Sequence, residues 1–270
     1  MVSIKSYVSY ESEVVAQHLG YKNSDMCAKF LMPHLKSAMD LLDCGCGAGS
    51  ITVGLASVVT PGNVVGIDIS EKSIEIACQH QMAHHIPNLR FEAASVYSLP
   101  FPDGVFDAVF SHGLFLDLQD PNAALCEIWR VLKPGGIVGL RDADFAGRLL
   151  TPVNPALRRW HSLFATSIEQ HGGNPYWAQN YGRLLHETGF VNIQLSASYD
   201  CYATPADRRR FGQAVAAMLE KDQFFYNNFM KLGVMSDEIK EIRSAWLSWS
   251  EDPHAFHAAA RAEVVGWKNS

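Results

Sequence analysis

Short apolar runs alternate with amphipathic stretches from Met39 to Asp142, and the hydrophobic spacing switches between continuous and helical as they alternate. Met39–Asp43 is an apolar strand ending in an acid, and Ser50–Val59 has a helical stripe. Pro61-Gly62 marks a turn before the strand Asn63–Asp68. A helix over 71–84 leads to a short strand at Leu89–Ala93. Pro100, Pro102 and Asp103-Gly104 make a loop before the strand Val105–Phe110. A helix over 121–132 stops at Lys133-Pro-Gly-Gly136, and Ile137–Arg141 is a fifth strand. Strands and helices alternating at this spacing predict parallel βαβ units, which bind ligands at the carboxyl ends of their strands.

The flanks are patterned differently. Residues 1–38 predict two amphipathic helices, Glu11–Leu19 and Asp25–Leu35, forming an N-terminal lid. Residues 39–204 predict the α/β domain, with a helical insertion at about 151–180 and a strand at Phe190–Leu195. Residues 205–258 form an aromatic-rich helical cap, and residues 259–270 supply a last strand around Ala262–Trp267. The expected fold is α/β: a doubly wound, mostly parallel seven-stranded sheet, with N-terminal helices and a helical cap inserted before the last strand.

The first strand runs into Gly45, Gly47 and Gly49, which alternate behind Asp43. Glycine tolerates positive φ and lets a ligand approach the backbone. The helix that follows would aim its unpaired N–H groups at whatever lies over the turn, which makes it a nucleotide-cofactor loop. A dinucleotide fold shows Gly-x-Gly-x-x-Gly, but here the spacing is Gly-x-Gly-x-Gly with Ser at position 50. Asp68 ends the second strand 19 residues beyond Gly49, where a carboxylate either takes ribose hydroxyls or sits solvated at the strand end.

The formal charge of −6, with no like-charge block longer than Arg208-Arg209-Arg210, argues against a nucleic-acid partner. No apolar run approaches membrane-spanning length and the N-terminus lacks an apolar signal core, so a cytoplasmic protein without membrane insertion is expected. The six cysteines are scattered, which fits a reducing compartment. Cys44 and Cys46 lie within the glycine turn, and no second pair has zinc-site spacing, so no metal is expected.

Leu41-Leu-Asp-Cys-Gly-Cys-Gly-Ala-Gly49, Val65-Gly-Ile-Asp-Ile-Ser70, Leu99-Pro-Phe-Pro-Asp-Gly-Val-Phe-Asp107 and Arg130-Val-Leu-Lys-Pro-Gly-Gly136 occur in that order. Together they resemble the class I S-adenosylmethionine-dependent methyltransferases, in the branch related to the ubiquinone and menaquinone C-methyltransferases. The resemblance implies the Rossmann-like methyltransferase fold and S-adenosyl-L-methionine as cofactor, with S-adenosyl-L-homocysteine as product. It places Asp43, Gly45, Cys46 and Gly47 at the methionine part of the cofactor, Asp68 at the ribose, and Ile69 and Val96 around the adenine. Ser95 stands where relatives carry an Asp that accepts from the adenine amino group, and a neutral hydroxyl contributes less there. Ser111 and His112 fall beside the amino-acid moiety and methyl group. Lys22 either meets the cofactor carboxylate or is a surface lysine. Tyr7 and Tyr10 either cover the site or pack in a helix.

Two residues are candidate catalytic groups. His112 is either a base near the methyl group or a histidine that orients its loop. Asp142 either binds a substrate amine or hydroxyl or caps a turn, and Asp117 is a weaker candidate. Asp142 with Asp144 does not make a convincing Mg²⁺ pair. The cap aromatics Phe211, Phe224, Phe225, Tyr226, Phe229, Trp246, Trp249 and Phe256 either line an apolar pocket or form the cap's core. The expectation is methylation of a small, apolar or aromatic metabolite at C, N or O, in secondary metabolism, with the oligomeric state open. The competing reading is a cyclase or pericyclase that keeps the cofactor as a structural cation.

Overall fold

A computed structural model describes residue 18 and residues 20–270. Seven strands form one sheet: β1 (Leu41–Cys44), β2 (Val64–Asp68), β3 (Leu89–Ala93), β4 (Phe106–His112), β5 (Leu132–Thr151), β6 (Phe190–Tyr202) and β7 (Phe256–Lys268). Their order is β3-β2-β1-β4-β5-β7-β6. The first five are parallel, and β7 runs antiparallel between β5 and β6. From β1 the chain winds outward through β2 and β3, then crosses back to β4. The order therefore reverses between β1 and β4, and the crevice for a ligand opens at their carboxyl ends.

Both faces of the central strands are covered, which is why they read as continuous apolar runs. Leu42, Val65 and Val109 point to one face, under α4 (Pro121–Val131) and α6 (Tyr181–Thr188). Leu41, Val64 and Phe110 point to the other, against α2 (Ser50–Val59) and α3 (Glu71–His84). Leu31 also packs there, after the short helix α1 (Ser24–Cys27). A third apolar cluster joins α5 (Pro155–Gln170) to α7 (Pro205–Met218), α8 (Phe224–Lys231) and α9 (Ser236–Glu251).

The helix expected over Asp25–Leu35 is shorter. Helix α1, capped by Asn23 through the N–H of Met26, ends at Cys27, and a 3-10 turn follows at Met32–His34. Pro33 has no N–H to donate and cannot continue an α-helix. Glu11–Leu19, Tyr7 and Tyr10 lie outside the described residues apart from His18.

The last three strands are much longer than expected. β5 continues past Arg141 to Thr151, β6 past Leu195 to Tyr202, and β7 starts at Phe256 rather than 259. The strand β5 pairs with β7 over Ile137–Ala143 and again over Arg148–Thr151, with a register shift between. Charged residues break the apolar pattern in these extensions. Asp200, in the β6 extension, is tolerated because Arg141 of β5 and Arg261 of β7 neutralise it across the strands, with Glu263 pairing Arg141 in turn.

Candidate active site

Gly45, Gly47 and Gly49 have φ of +77°, +53° and +79°, so the turn after β1 depends on left-handed backbone. A Cβ on Gly49 would lie 2.5 Å from the Phe91 ring. The N–H groups of Gly45 and Cys46 donate to the Ile67 carbonyl at the end of β2. Asp68 adds a second tie: its carboxylate accepts from Gly47 N–H at 3.0 Å and from Ser70 N–H at 2.9 Å. Burial raises its pKa above the ordinary carboxylate value. Gly49 offers no side-chain cap to α2, so the first turn of that helix faces the cleft with Ser50 and Ile51.

The cleft has a volume of about 360 Å³ and runs from this turn to the helical insertion. Lys22, Gly45, Cys46, Gly47, Asp68, Ile69 and His112 all line it. A recess of about 60 Å³ opens beside it, lined by Ser95 and Val96 with Gly45, Asp68, Ile69 and Leu114. A backbone cradle in left-handed φ, a carboxylate at a strand end, a narrow apolar recess and a lysine fit an adenosyl amino acid. Burial and the Arg261 charge lower the Lys22 pKa to about 8.

Two expected cofactor ligands lie beneath the cleft instead. Asp43 is buried, and its Oδ2 accepts from Thr52 Oγ1 at 2.6 Å, fastening α2 to β1. Burial pushes its pKa up to about 7. Ser111 is also buried, and its hydroxyl donates to the Cys44 carbonyl at 2.9 Å. Both side chains hold the turn rather than line the cleft, because strand alternation turns them into the sheet layers.

The catalytic assignments also change. His112 lines the cleft, but its Nε2 lies 2.9 Å from Arg141 Nη1. A guanidinium only donates, so Nε2 is the acceptor and the proton sits on Nδ1. Burial and the cations Lys22, Arg261 and Arg141 hold His112 well below its ordinary pKa. A base needs a free lone pair, and this one is spent, so the geometry supports the orienting alternative. Asp142 is fully buried, is not among the residues that line the cleft, and its Oδ2 accepts from the Tyr181 hydroxyl. Burial pushes it up to about 6. It is held against Tyr181 rather than in the cleft wall. Asp117 and Asp144 do line the cleft. Burial and neighbouring Asp142 raise Asp117 well above its usual value.

Arg141 belongs to a buried ion cluster that sequence reasoning missed. Its Nε donates to Glu263 at 3.0 Å and its Nη2 to Asp200 at 2.8 Å, while Arg261 donates to Asp200 at 2.7 and 2.8 Å. Also missed were Arg148, Trp160, His161, Phe164, His257 and Arg261, which form the far wall of the cleft. One signal was available. His161 falls on the stripe Leu157, Trp160, Phe164 and Ile168 of α5, a polar residue at a buried helical position. Of the cap aromatics, Phe211 lines the cleft, whereas Phe229, Trp246 and Trp249 are buried in the cluster of the helical insertion. Among the described residues no group of three or more His, Cys, Asp or Glu side chains could hold a metal ion, and no helix is long and apolar enough to cross a membrane.

Residues 35–189 match the methyltransferase domain family. An uncharacterized methyltransferase of Schizosaccharomyces pombe is 30% identical over 271 residues, covering 96% of this chain and 95% of its own. A probable methyltransferase of Aspergillus luteorubrus is 28% identical over 257 residues, covering 89% and 90%. The fold matches a Haemonchus contortus phosphoethanolamine N-methyltransferase in complex with S-adenosyl-L-methionine, with a TM-score of 0.59. That match has 16% identity and covers all of this chain and 61% of the other. With the glycine turn, the strand-end carboxylate and the sheet order in place, the chain belongs to the class I S-adenosylmethionine-dependent methyltransferases.

Proposed function

We propose that this enzyme methylates a small, apolar or aromatic metabolite enclosed between the cofactor turn and the helical insertion. The observation that carries this reading is the continuity of the cleft: one space joins Gly47 and Asp68 to Phe145, Trp160, Phe164 and Phe211. The wall contributed by α5 and α7 leaves room for a metabolite, not for a folded macromolecule. In this reading Asp68 takes the ribose hydroxyls, Ile69 and Val96 flank the adenine beside Ser95, and Lys22 meets the carboxylate of the amino-acid part. Arg141 fixes the His112 ring at the end of β4, and helices α5 and α7 cover the acceptor.

S-adenosylmethionine supplies a methyl group already activated on a sulfonium. The protein's task is to align the acceptor and exclude water, and orientation alone can supply roughly 7–11 kcal/mol. The aromatic wall excludes water from one side, and the turn fixes the other. The reading is tested by incubating the protein with methyl-labelled cofactor and a metabolite extract, then separating products by size. Label in low-mass compounds supports it. Label confined to protein or RNA overturns it.

A further inference from the structure

Four polar atoms in the far wall of the cleft have no hydrogen-bond partner: Nε of Arg148, Nε2 of His161, and Nδ1 and Nε2 of His257. His161 is 8% exposed and His257 2%. Buried polar groups are satisfied in the large majority of cases, so four such atoms on three residues that line one cleft call for a partner that the protein itself does not supply. They converge for structural reasons. Arg148 pairs with Ala259 and Leu150 with His257, so alternation along the β5–β7 ribbon puts Arg148 and His257 on one face, one step apart. His161 arrives from α5 with its ring centroid 5.3 Å from that of His257.

The chemistry of the group is specific. Burial, reinforced by the Arg148 charge, lowers the pKa of His161 to about 2 and of His257 to about 3, so both rings are neutral. Each then offers one N–H and one lone pair. Arg148 makes no ion pair among the described residues. Its neighbour Asp144 already accepts from Ala146 N–H and Gln179 Nε2 through one oxygen. The Arg148 guanidinium lies 5.2 Å from the centre of the Phe145 ring. Phe145 stacks on Phe164 at 5.4 Å, and Phe164 on Trp160 at 5.4 Å. A row of stacked rings therefore has a cation at its Phe145 end, and the two neutral imidazoles line the same cleft.

We propose that Arg148, His161 and His257 form the acceptor-recognition subsite, and that it takes an aromatic molecule bearing an acidic oxygen. The ring lies along Phe145, Phe164 and Trp160, and the carboxylate or phenolate oxygen is received by Arg148 and the two imidazoles. This deepens the proposed methyl transfer and rests on it for the word acceptor, but the subsite is read out by binding alone.

The test is calorimetric titration of the S-adenosylhomocysteine-loaded protein with 2-naphthoate, 2-naphthol and the neutral isostere 2-naphthamide. Wild type is expected to bind naphthoate or naphthol about tenfold more tightly than the amide, the scale of one charge-assisted hydrogen bond. The tighter of the two tells a carboxylate from a phenol. Arg148→Gln should reduce the preference to about threefold or less and leave affinity for the amide unchanged. His257→Phe, which keeps the ring and removes its nitrogens, should weaken the oxyanion in the same way. Equal binding of anion and amide by wild type, binding of none of the three, or an undiminished preference in Arg148→Gln overturns the proposal. S-adenosylhomocysteine affinity, measured first on each protein, separates the two readings: its loss from wild type sinks the methyltransferase reading, whereas the naphthoate preference sinks or sustains the subsite.

Discussion

Replacing Asp200 by Asn should cost this protein about 3–5 kcal/mol, the usual cost of stranding a buried charge. The Asp200 side chain is 10% exposed and receives three charged hydrogen bonds, from Arg141 Nη2 at 2.8 Å and from Arg261 Nε and Nη2 at 2.8 and 2.7 Å. Without its charge, Arg141, Arg261 and nearby Lys22 face Glu263 alone. For a chain of this size the loss corresponds to a drop of roughly 6–20 °C in Tm. Thermal and urea unfolding of the two proteins at pH 7, followed by circular dichroism, read the difference. The three cationic partners hold the Asp200 carboxyl well below its ordinary pKa. A depressed folded pKa gives stability above the unfolded value near 3.9, lost as pH falls through the folded one. The gap between wild type and Asp200→Asn should therefore narrow as pH drops below about 4. Adding Arg261→Met to Asp200→Asn should recover part of the loss, since it removes one stranded cation. A loss under about 1 kcal/mol at pH 7, as for an exposed pair, would refute the reasoning.

Gly49→Ala should lose about 2–4 kcal/mol, combining a left-handed φ of +79° with a Cβ 2.5 Å from the Phe91 ring. Gly113→Ala, at φ +71° with nothing within 4 Å, should lose only about 1–2 kcal/mol; equal urea midpoints for the two variants would contradict this. Asp43→Asn bears on pH dependence. The folded pKa of Asp43 is raised from 3.8 to about 7, so its contribution is full at acid pH and is lost as pH rises through about 7. Wild type should therefore lose stability relative to Asp43→Asn across that window, and parallel pH profiles would contradict it. Asp68→Asn should weaken S-adenosylhomocysteine binding roughly 10–100-fold by calorimetry, because charge-assisted bonds to ribose are lost; unchanged affinity would remove Asp68 from the cofactor site.

The central sheet was legible because burial on both faces writes itself as unbroken apolar runs, as in Leu41-Leu42 and Val64-Val65. The turn was legible because positive φ needs glycine at 45, 47 and 49. The extensions of β5, β6 and β7 were not. In the β6 extension Asp200 looks like a solvent-facing charge, and only cross-strand pairing reveals that Arg141 and Arg261 satisfy it. Asp142 shows the same limit from the other side. It was expected just past the fifth strand on the ligand edge, but β5 continues through it, and whether its carboxylate faced the cleft or Tyr181 depended on the strand's pleat. The oxyanion wall was hidden for a third reason: Arg148, His161 and His257 come from three distant segments, and no spacing links them.

The most direct measurement is mass spectrometry of products formed from S-adenosylmethionine carrying a fully deuterated methyl group, with the metabolite extract as acceptor source. A low-mass aromatic product should carry the deuterated methyl group and be absent when Asp68→Asn replaces wild type at limiting cofactor. A product that forms only with wild type and keeps its precursor's mass would contradict methyl transfer and make the bound cofactor a structural cation.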